Sequence, residues 1–150
     1  MSVTLHPLDQ ERTDEIDTII ELDRIFTEEF FPDRSWNGTD RERELRESLD
    51  RGERVVVACD GERAIGAAWY RFTQDRWSGE QVCRLSFIAV EQQARGEGNG
   101  RLLMDHVKDE ARREGCSVLE VSLNEGNDRA AAFYELCGFV PVRRMLRSHL

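Results

Sequence analysis

Long apolar runs are missing from this 150-residue chain. Nothing approaches the roughly 18 consecutive apolar residues that a membrane-spanning helix requires. The longest stretches, Val55 to Cys59 and Ala64 to Tyr70, are strand-sized. The start, Met1-Ser2-Val3-Thr4-Leu5-His6-Pro7, has no basic region ahead of an apolar one, so no signal peptide is expected and a soluble, cytoplasmic protein is the default. Basic charge is also in short supply. Asp and Glu number 30 against 21 Lys and Arg, a formal net charge of −9, and Lys108 is the only lysine. That excludes a general nucleic-acid binder, which needs a basic footprint on phosphate, and leaves room for a local basic pocket around a small phosphorylated ligand. No CxxC pair joins Cys59, Cys83, Cys116 and Cys137, which read as small buried hydrophobes in a reducing compartment. His6 and His149 lie near the ends and carry no motif. There is no repeat, low-complexity tract or linker. With 39% apolar residues, a single domain over 1–150 with its own core is expected.

What is present has a clear order. Ser2 to His6 reads as a first strand. Glu11 to Phe31 reads as a helix with Ile16, Ile19, Ile20, Phe26 and Phe30 on one face. Thr39 followed three residues later by Glu42 has capping-box spacing and starts a second helix, about Asp40 to Arg51. Between them Phe30, Phe31 and Trp36 sit in a loop, either lining an acceptor pocket or covering the core. Arg54–Cys59, Asp60-Gly61 and Ala64–Tyr70 read as strand, tight turn and strand. Gln81–Val90 is a third long strand. Gly100–Glu114 is a strongly amphipathic helix closed by Gly115, with His106 on its apolar face as a core or boundary residue. Val118–Leu123 reads as a strand and Asn127–Leu136 as a short helix ended by Gly138. Phe139–Val142, and then Met145–Arg147, read as closing strands. The order β-α-α-β-β-β-α-β-α-β(-β) predicts an α+β fold with a mixed, mostly antiparallel central sheet, and disfavours a doubly wound nucleotide fold.

Between the third long strand and the best helix stands Arg95-Gly96-Glu97-Gly98-Asn99-Gly100-Arg101. Glycines let backbone approach a ligand, and the first turn of a helix offers unpaired N–H groups and the positive end of its dipole. Arg95 and Arg101 can add charge. This is a phosphate site in outline. It is not a Walker loop, because Arg101-Leu102 follows Gly100 where Lys-Ser/Thr is needed. It is not a dinucleotide fingerprint, because the spacing is GxGxG.

The segment does match the pyrophosphate motif [Gln/Arg]-x-x-Gly-x-[Gly/Ala]. Downstream, Asn127-Asp128-Arg129-Ala130-Ala131-Ala132-Phe133-Tyr134-Glu135-Leu136-Cys137-Gly138-Phe139 follows the pattern N-x-x-A-x-x-F-Y-x-x-x-G-F. The Asp60-Gly61 hairpin with Gly66 fits the same pattern. Together these resemble the GCN5-related N-acetyltransferase (GNAT) family over most of residues 3 to 142. Gln92, where many members have proline, and the short arginine-rich end are the departures.

The resemblance implies acetyl-CoA as cosubstrate. It implies pairing of the pantetheine arm with the main chain of Ile88, Ala89 and Val90, and a pyrophosphate held on the amides of Arg95, Gly96, Glu97, Gly98, Asn99, Gly100 and Arg101. It also implies Tyr134 as the acid that protonates the departing thiolate, although Phe133-Tyr134 could instead be a packing pair. Asn127 and Tyr134, seven residues apart, share a helix face; Asn127 could cap its helix, contact the pantetheine, or both. A metal is not implied. For the general base the candidates are Ser86, Glu120, Glu28 and Glu29, and the residues single out none. The expected activity is direct attack of a primary amine on acetyl-CoA in a ternary complex, with a small-molecule or peptide acceptor, no nucleic acid, no membrane, and a monomer or homodimer. The alternative is a non-catalytic CoA-binding sensor of the same fold.

Overall fold

The computed structural model describes residues 2–150. Five strands, β1 (Val3–Pro7), β2 (Arg54–Asp60), β3 (Arg63–Gln74), β4 (Gln81–Val90) and β5 (Val118–Val121), form one sheet in the order β1-β2-β3-β4-β5. Neighbours are antiparallel from β1 to β4, and β5 runs parallel to β4. This is the mixed α+β sheet expected from the sequence. Helices α1 (Thr13–Phe30) and α2 (Gly38–Asp50) pack on one face, α3 (Asn99–Arg113) and α4 (Asp128–Leu136) on the other.

The second strand shows why this layering follows from the residues. A strand buried on both faces needs apolar side chains at every position rather than at alternate ones. Val56 and Ala58 pack with Leu103, Met104 and Val107 of α3. Val55, Val57 and Cys59 pack with Ile16 and Ile19 of α1 and Leu45 of α2. Burying each of the valines stabilises by about 1.5–3 kcal/mol before the entropy of ordering is counted. The hairpin that follows closes with a two-residue loop in which only Gly61 has positive φ, as a type II′ turn requires. Gly66 is fixed by packing: a Cβ there would lie 2.8 Å from the Ala89 carbonyl oxygen of β4.

Two expectations need correction. The second helix is capped by Asn37, whose side chain accepts from the Asp40 N–H at 3.1 Å, and Thr39 lies inside the helix. Asparagine is a better cap than threonine and stands earlier in the chain. No strand follows α4. Residues 140–150 are exposed, and no strand is assigned there. Phe139 is pinned by its N–H to the Tyr134 carbonyl at 3.0 Å and by ring contact with Tyr134. Two residues on, Pro141 lacks the N–H a ladder needs, so the apolar alternation of Val140 and Val142 does not become sheet.

The geometry that makes a site lies at β4. Its partner β5 stops at Val121, opposite Leu85, while β4 continues to Val90. The β3–β4 register also shifts there: Tyr70 faces Leu85 and Trp69 faces Phe87, leaving Ser86 unpaired in a bulge. A bulge re-aims the strand. Beyond Leu85 the sheet therefore splays, and β4 is left with an open edge.

Candidate active site

A cleft of about 70 Å³ occupies that opening. Ser86, Phe87 and Ile88 form one wall, Val121 to Asn124 the other, and Asn127, the cap of α4, stands at one end with Ala130 and Tyr134 of that helix, with Phe26 of α1 at another. Asn127 and Tyr134 thus share one helix face toward the cleft, as their spacing implies. Phe26 was read from its periodicity only as part of the apolar face of α1. It is the centre of an aromatic group, with ring centroids 5.0 Å from Phe30 and 6.1 Å from Phe31. Trp36 is held elsewhere: its indole N–H donates to Asp23 at 2.8 Å, and the same carboxylate is gripped by Arg41. Of the loop aromatics, Trp36 therefore anchors the α1–α2 connection.

The open edge leads from Ile88, Ala89 and Val90 into the glycine turn. Gly96 and Gly98 have φ of +78° and +84°, conformations that other residues rarely adopt. The first backbone bond of α3 runs from Leu102 N–H to the Gly98 carbonyl, so Asn99, Gly100 and Arg101 present N–H groups with no intrahelical acceptor. The buried Asn99 side chain donates to the Ala94 carbonyl at 2.9 Å and braces the turn from beneath. These features fit an anion such as a diphosphate.

Individual residues of the motif divide the work differently from the sequence reading. Gly100 is small for packing: a Cβ there would sit 3.3 Å from the Phe133 ring of α4. The guanidinium of Arg101 is turned to the Leu136 carbonyl at 3.3 Å and to Asp105 at 3.4 Å, leaving only its N–H for the turn. Arg95 donates through Nε to the Val90 carbonyl at 3.0 Å, which occupies that acceptor, and its own N–H goes to Gln92. Burial and the neighbouring Arg129 push the Arg95 guanidinium down from its ordinary value, while Glu29 opposes this. Two guanidinium groups close enough to disfavour each other mark a place where an anion is welcome. Sequence reading missed Arg129. The available signal was an arginine in the first turn of α4, an unusual place for a cation.

Tyr134 is the only titratable side chain among the residues lining the cleft. Burial pushes its phenol up to about 12, so it keeps its proton at neutral pH. It also packs, with centroids 5.7 Å from Phe133 and 5.5 Å from Phe139. Asn127 does cap α4: its Oδ1 accepts from the Ala130 N–H at 3.1 Å, and its amide nitrogen stays available. Of the base candidates, Glu28 is paired with Arg24 at 2.7 Å and Glu120 with Arg84 at 3.3 Å. Ser86 alone lines the cleft, and no carboxylate does. His106 is a boundary residue beside Glu110.

Comparisons with known proteins bear on the family and the fold. The sequence pattern of the acetyltransferase (GNAT) family matches residues 19–139. The chain is similar to mycothiol acetyltransferase of Beutenbergia cavernae, 34% identical over 87 residues, covering 58% of this chain and 28% of that protein. It is also similar to the thialysine N-epsilon-acetyltransferase of Bos taurus, 31% identical over 78 residues, covering 52% and 45% respectively. The matches thus span less than half the length of these curated relatives. In structure it resembles a Pyrococcus furiosus protein with a TM-score of 0.81 at 22% identity, over 99% of this chain and 100% of that one, which bears on the fold alone. On the extent of the sequence match, the chain belongs to the GNAT acetyltransferase family.

Proposed function

We propose that this protein transfers an acetyl group from acetyl-CoA to a primary amine. The observation that carries the reading is continuity. The splayed edge of β4 runs from a cleft holding one neutral phenol directly into an anion-accepting helix start. Acetyl-CoA has that layout, a thioester at one end of an amide-bearing arm and a diphosphate at the other. The N–H groups from Gly96 to Arg101, with Arg95 and Arg129 nearby, would hold the diphosphate. The main chain of Ile88 and Ala89 would pair with the arm, and Asn127 would offer its amide nitrogen.

In the chemical step the amine nitrogen bonds to the carbonyl carbon and the carbon–sulfur bond breaks. Tyr134 donates a hydrogen bond to the departing sulfur as charge forms on it. A free thiol has a pKa of about 8.5, well below that of the buried phenol, so full transfer of the phenol's proton is uphill; the phenol keeps its proton, and the sulfur leaves as thiolate or takes a proton from water. With no carboxylate in the cleft, the amine loses its proton to water. Attack is direct, since no cysteine lines the cleft.

The lack of a side-chain base is also what a non-catalytic CoA-binding module would show. The test is free-thiol release from acetyl-CoA with a panel of amines. Turnover with any of them supports the enzyme. Tight CoA binding without thiol release from the whole panel supports the module.

A further inference from the structure

At the far end of the sheet from this cleft, His6, Glu15 and Cys59 converge. His6 is on the edge strand β1, opposite Val57, so it shares a face with Val57 and Cys59 of β2. Glu15 is in the first turn of α1, fully buried against that face. An imidazole nitrogen of His6, a carboxylate oxygen of Glu15 and the Cys59 sulfur all lie within 4.8 Å of one another. His6 Nε2 is 2.6 Å from Glu15 Oε1, which Arg12 also approaches at 3.2 Å. Glu15 Oε2 is buried with no hydrogen-bond partner among the described residues. An ion pair alone does not account for this arrangement, because it leaves one oxygen of a buried carboxylate unsatisfied, a costly state that native structures avoid.

We propose that His6, Glu15 and Cys59 form a zinc site that ties β1, α1 and β2 together. One nitrogen, one oxygen and one sulfur donor is a set that suits zinc and does not suit magnesium or calcium, which take oxygen. Zinc bond lengths of about 2.0–2.3 Å put tetrahedral ligands roughly 3.5 Å apart. The three atoms need shifts of about an ångström to reach that spacing. His6 can supply its own, being on an edge strand with its side chain 34% exposed, and rotation about side-chain bonds adjusts the Glu15 carboxylate and the Cys59 sulfur. Arg12 can withdraw, because Asp14 already holds it at 2.9 Å. The charges balance. The Cys59 thiol releases its proton to solvent, and thiolate plus carboxylate offset the dication. His6 binds through Nε2 with its remaining hydrogen on Nδ1. Water takes the fourth position on the side where His6 meets solvent.

The full-length protein, stripped with a chelator, is titrated with Co²⁺ as a spectroscopic probe and then with Zn²⁺. One equivalent of Co²⁺ is expected to give thiolate-to-metal charge-transfer absorption, Zn²⁺ to displace it and Mg²⁺ not to. Cys59→Ser should abolish the absorption and Cys116→Ser should keep it. His6→Ala, a change at a partly exposed position on the edge strand, should weaken zinc binding at least about tenfold. Absence of charge transfer in the wild type, its survival in Cys59→Ser, or zinc binding within twofold of wild type in His6→Ala overturns the proposal. If Cys59→Ser does not fold, His6→Ala decides.

Discussion

Tyr134 sits where packing and chemistry meet, and the two roles separate by experiment. Its ring packs against Phe133 and Phe139, and the residue also lines the cleft. Tyr134→Phe keeps the ring, so the fold and acetyl-CoA affinity should survive. On the proposed mechanism, what is lost is the donor to sulfur. A positioned acid contributes about 10²- to 10⁴-fold in rate, and the loss should fall on kcat, because the interaction strengthens only as charge forms. Steady-state kinetics beside calorimetric CoA affinity will show it; turnover within twofold of wild type makes Tyr134 a packing residue. The pH profile carries a second sign. With the phenol pushed up to about 12, the acid form persists far above neutrality. The wild-type rate should therefore rise as the amine deprotonates and show no decline from tyrosine ionisation up to about pH 10. Stability follows the same shift. Tyr70 and Tyr134 are both raised to about 12 by burial, so the folded state holds these protons more tightly. Their contribution is complete below the unfolded value near 10 and is lost as pH climbs through about 12. Thermal melts across that window should show a falling midpoint, less so in Tyr134→Phe.

At the level of elements, the glycine turn and Gly66 make opposite predictions. Gly98→Glu puts a side chain at φ +84° and a negative charge in the anion site. A ligand bound only to the folded state at about 100 times its Kd adds roughly 2.7 kcal/mol. The wild type should show that shift with CoA and the variant should not, by thermal denaturation. Gly66→Ala instead drives a Cβ to 2.8 Å from the Ala89 carbonyl. Strand β3 must shift, at a cost of about 1–3 kcal/mol in urea unfolding, as for other overpacking. The elements themselves were largely legible. β4 has the bounds its composition implies, because a ten-residue apolar-rich run between a Gly79 turn and a Gly-rich turn leaves little freedom. The Asn127 cap followed from position alone. What could not be read was where strands stop pairing. Val118 to Leu123 looks uniform, yet β5 ends at Val121, and that early end opens the cleft. The closing strands failed because alternation says nothing about whether a partner edge exists. The motif glycines looked equivalent, but only a third dimension separates Gly98, which turns the chain, from Gly100, which makes room for Phe133. Nor does spacing show that Arg101 faces α4 while Arg129, from another element, stands by Arg95.

Taken whole, the proposed anion site, backbone dipoles with Arg95 and Arg129 nearby, stands within a chain of net charge −9. The two scales do not conflict, because fixed N–H groups act within a few ångströms and the net field reaches further, to about 30 Å at 0.01 M salt. The long-range field should shape the choice of acceptor. Among the described residues no helix is long and apolar enough to cross a membrane, and much of the acid is carried on the exposed faces of α1 and α2. An acidic surface raises the local concentration of cations and lowers that of anions, and such steering is worth between about tenfold and a thousandfold in association rate. Amines that carry extra positive charge should therefore be acetylated with higher kcat/KM than amines of similar size bearing a carboxylate. The advantage should shrink as salt rises, since at 0.15 M the field decays over about 8 Å. Contacts inside the cleft would not follow that salt dependence, so the slope separates surface field from pocket recognition. Measuring kcat/KM for a matched pair, a diamine and an amino acid, from low to high ionic strength makes the comparison. A preference for the diamine that fades with salt supports steering. A carboxylate-bearing acceptor used faster at low salt would mean that local cations such as Arg129, and not the overall charge, select the acceptor.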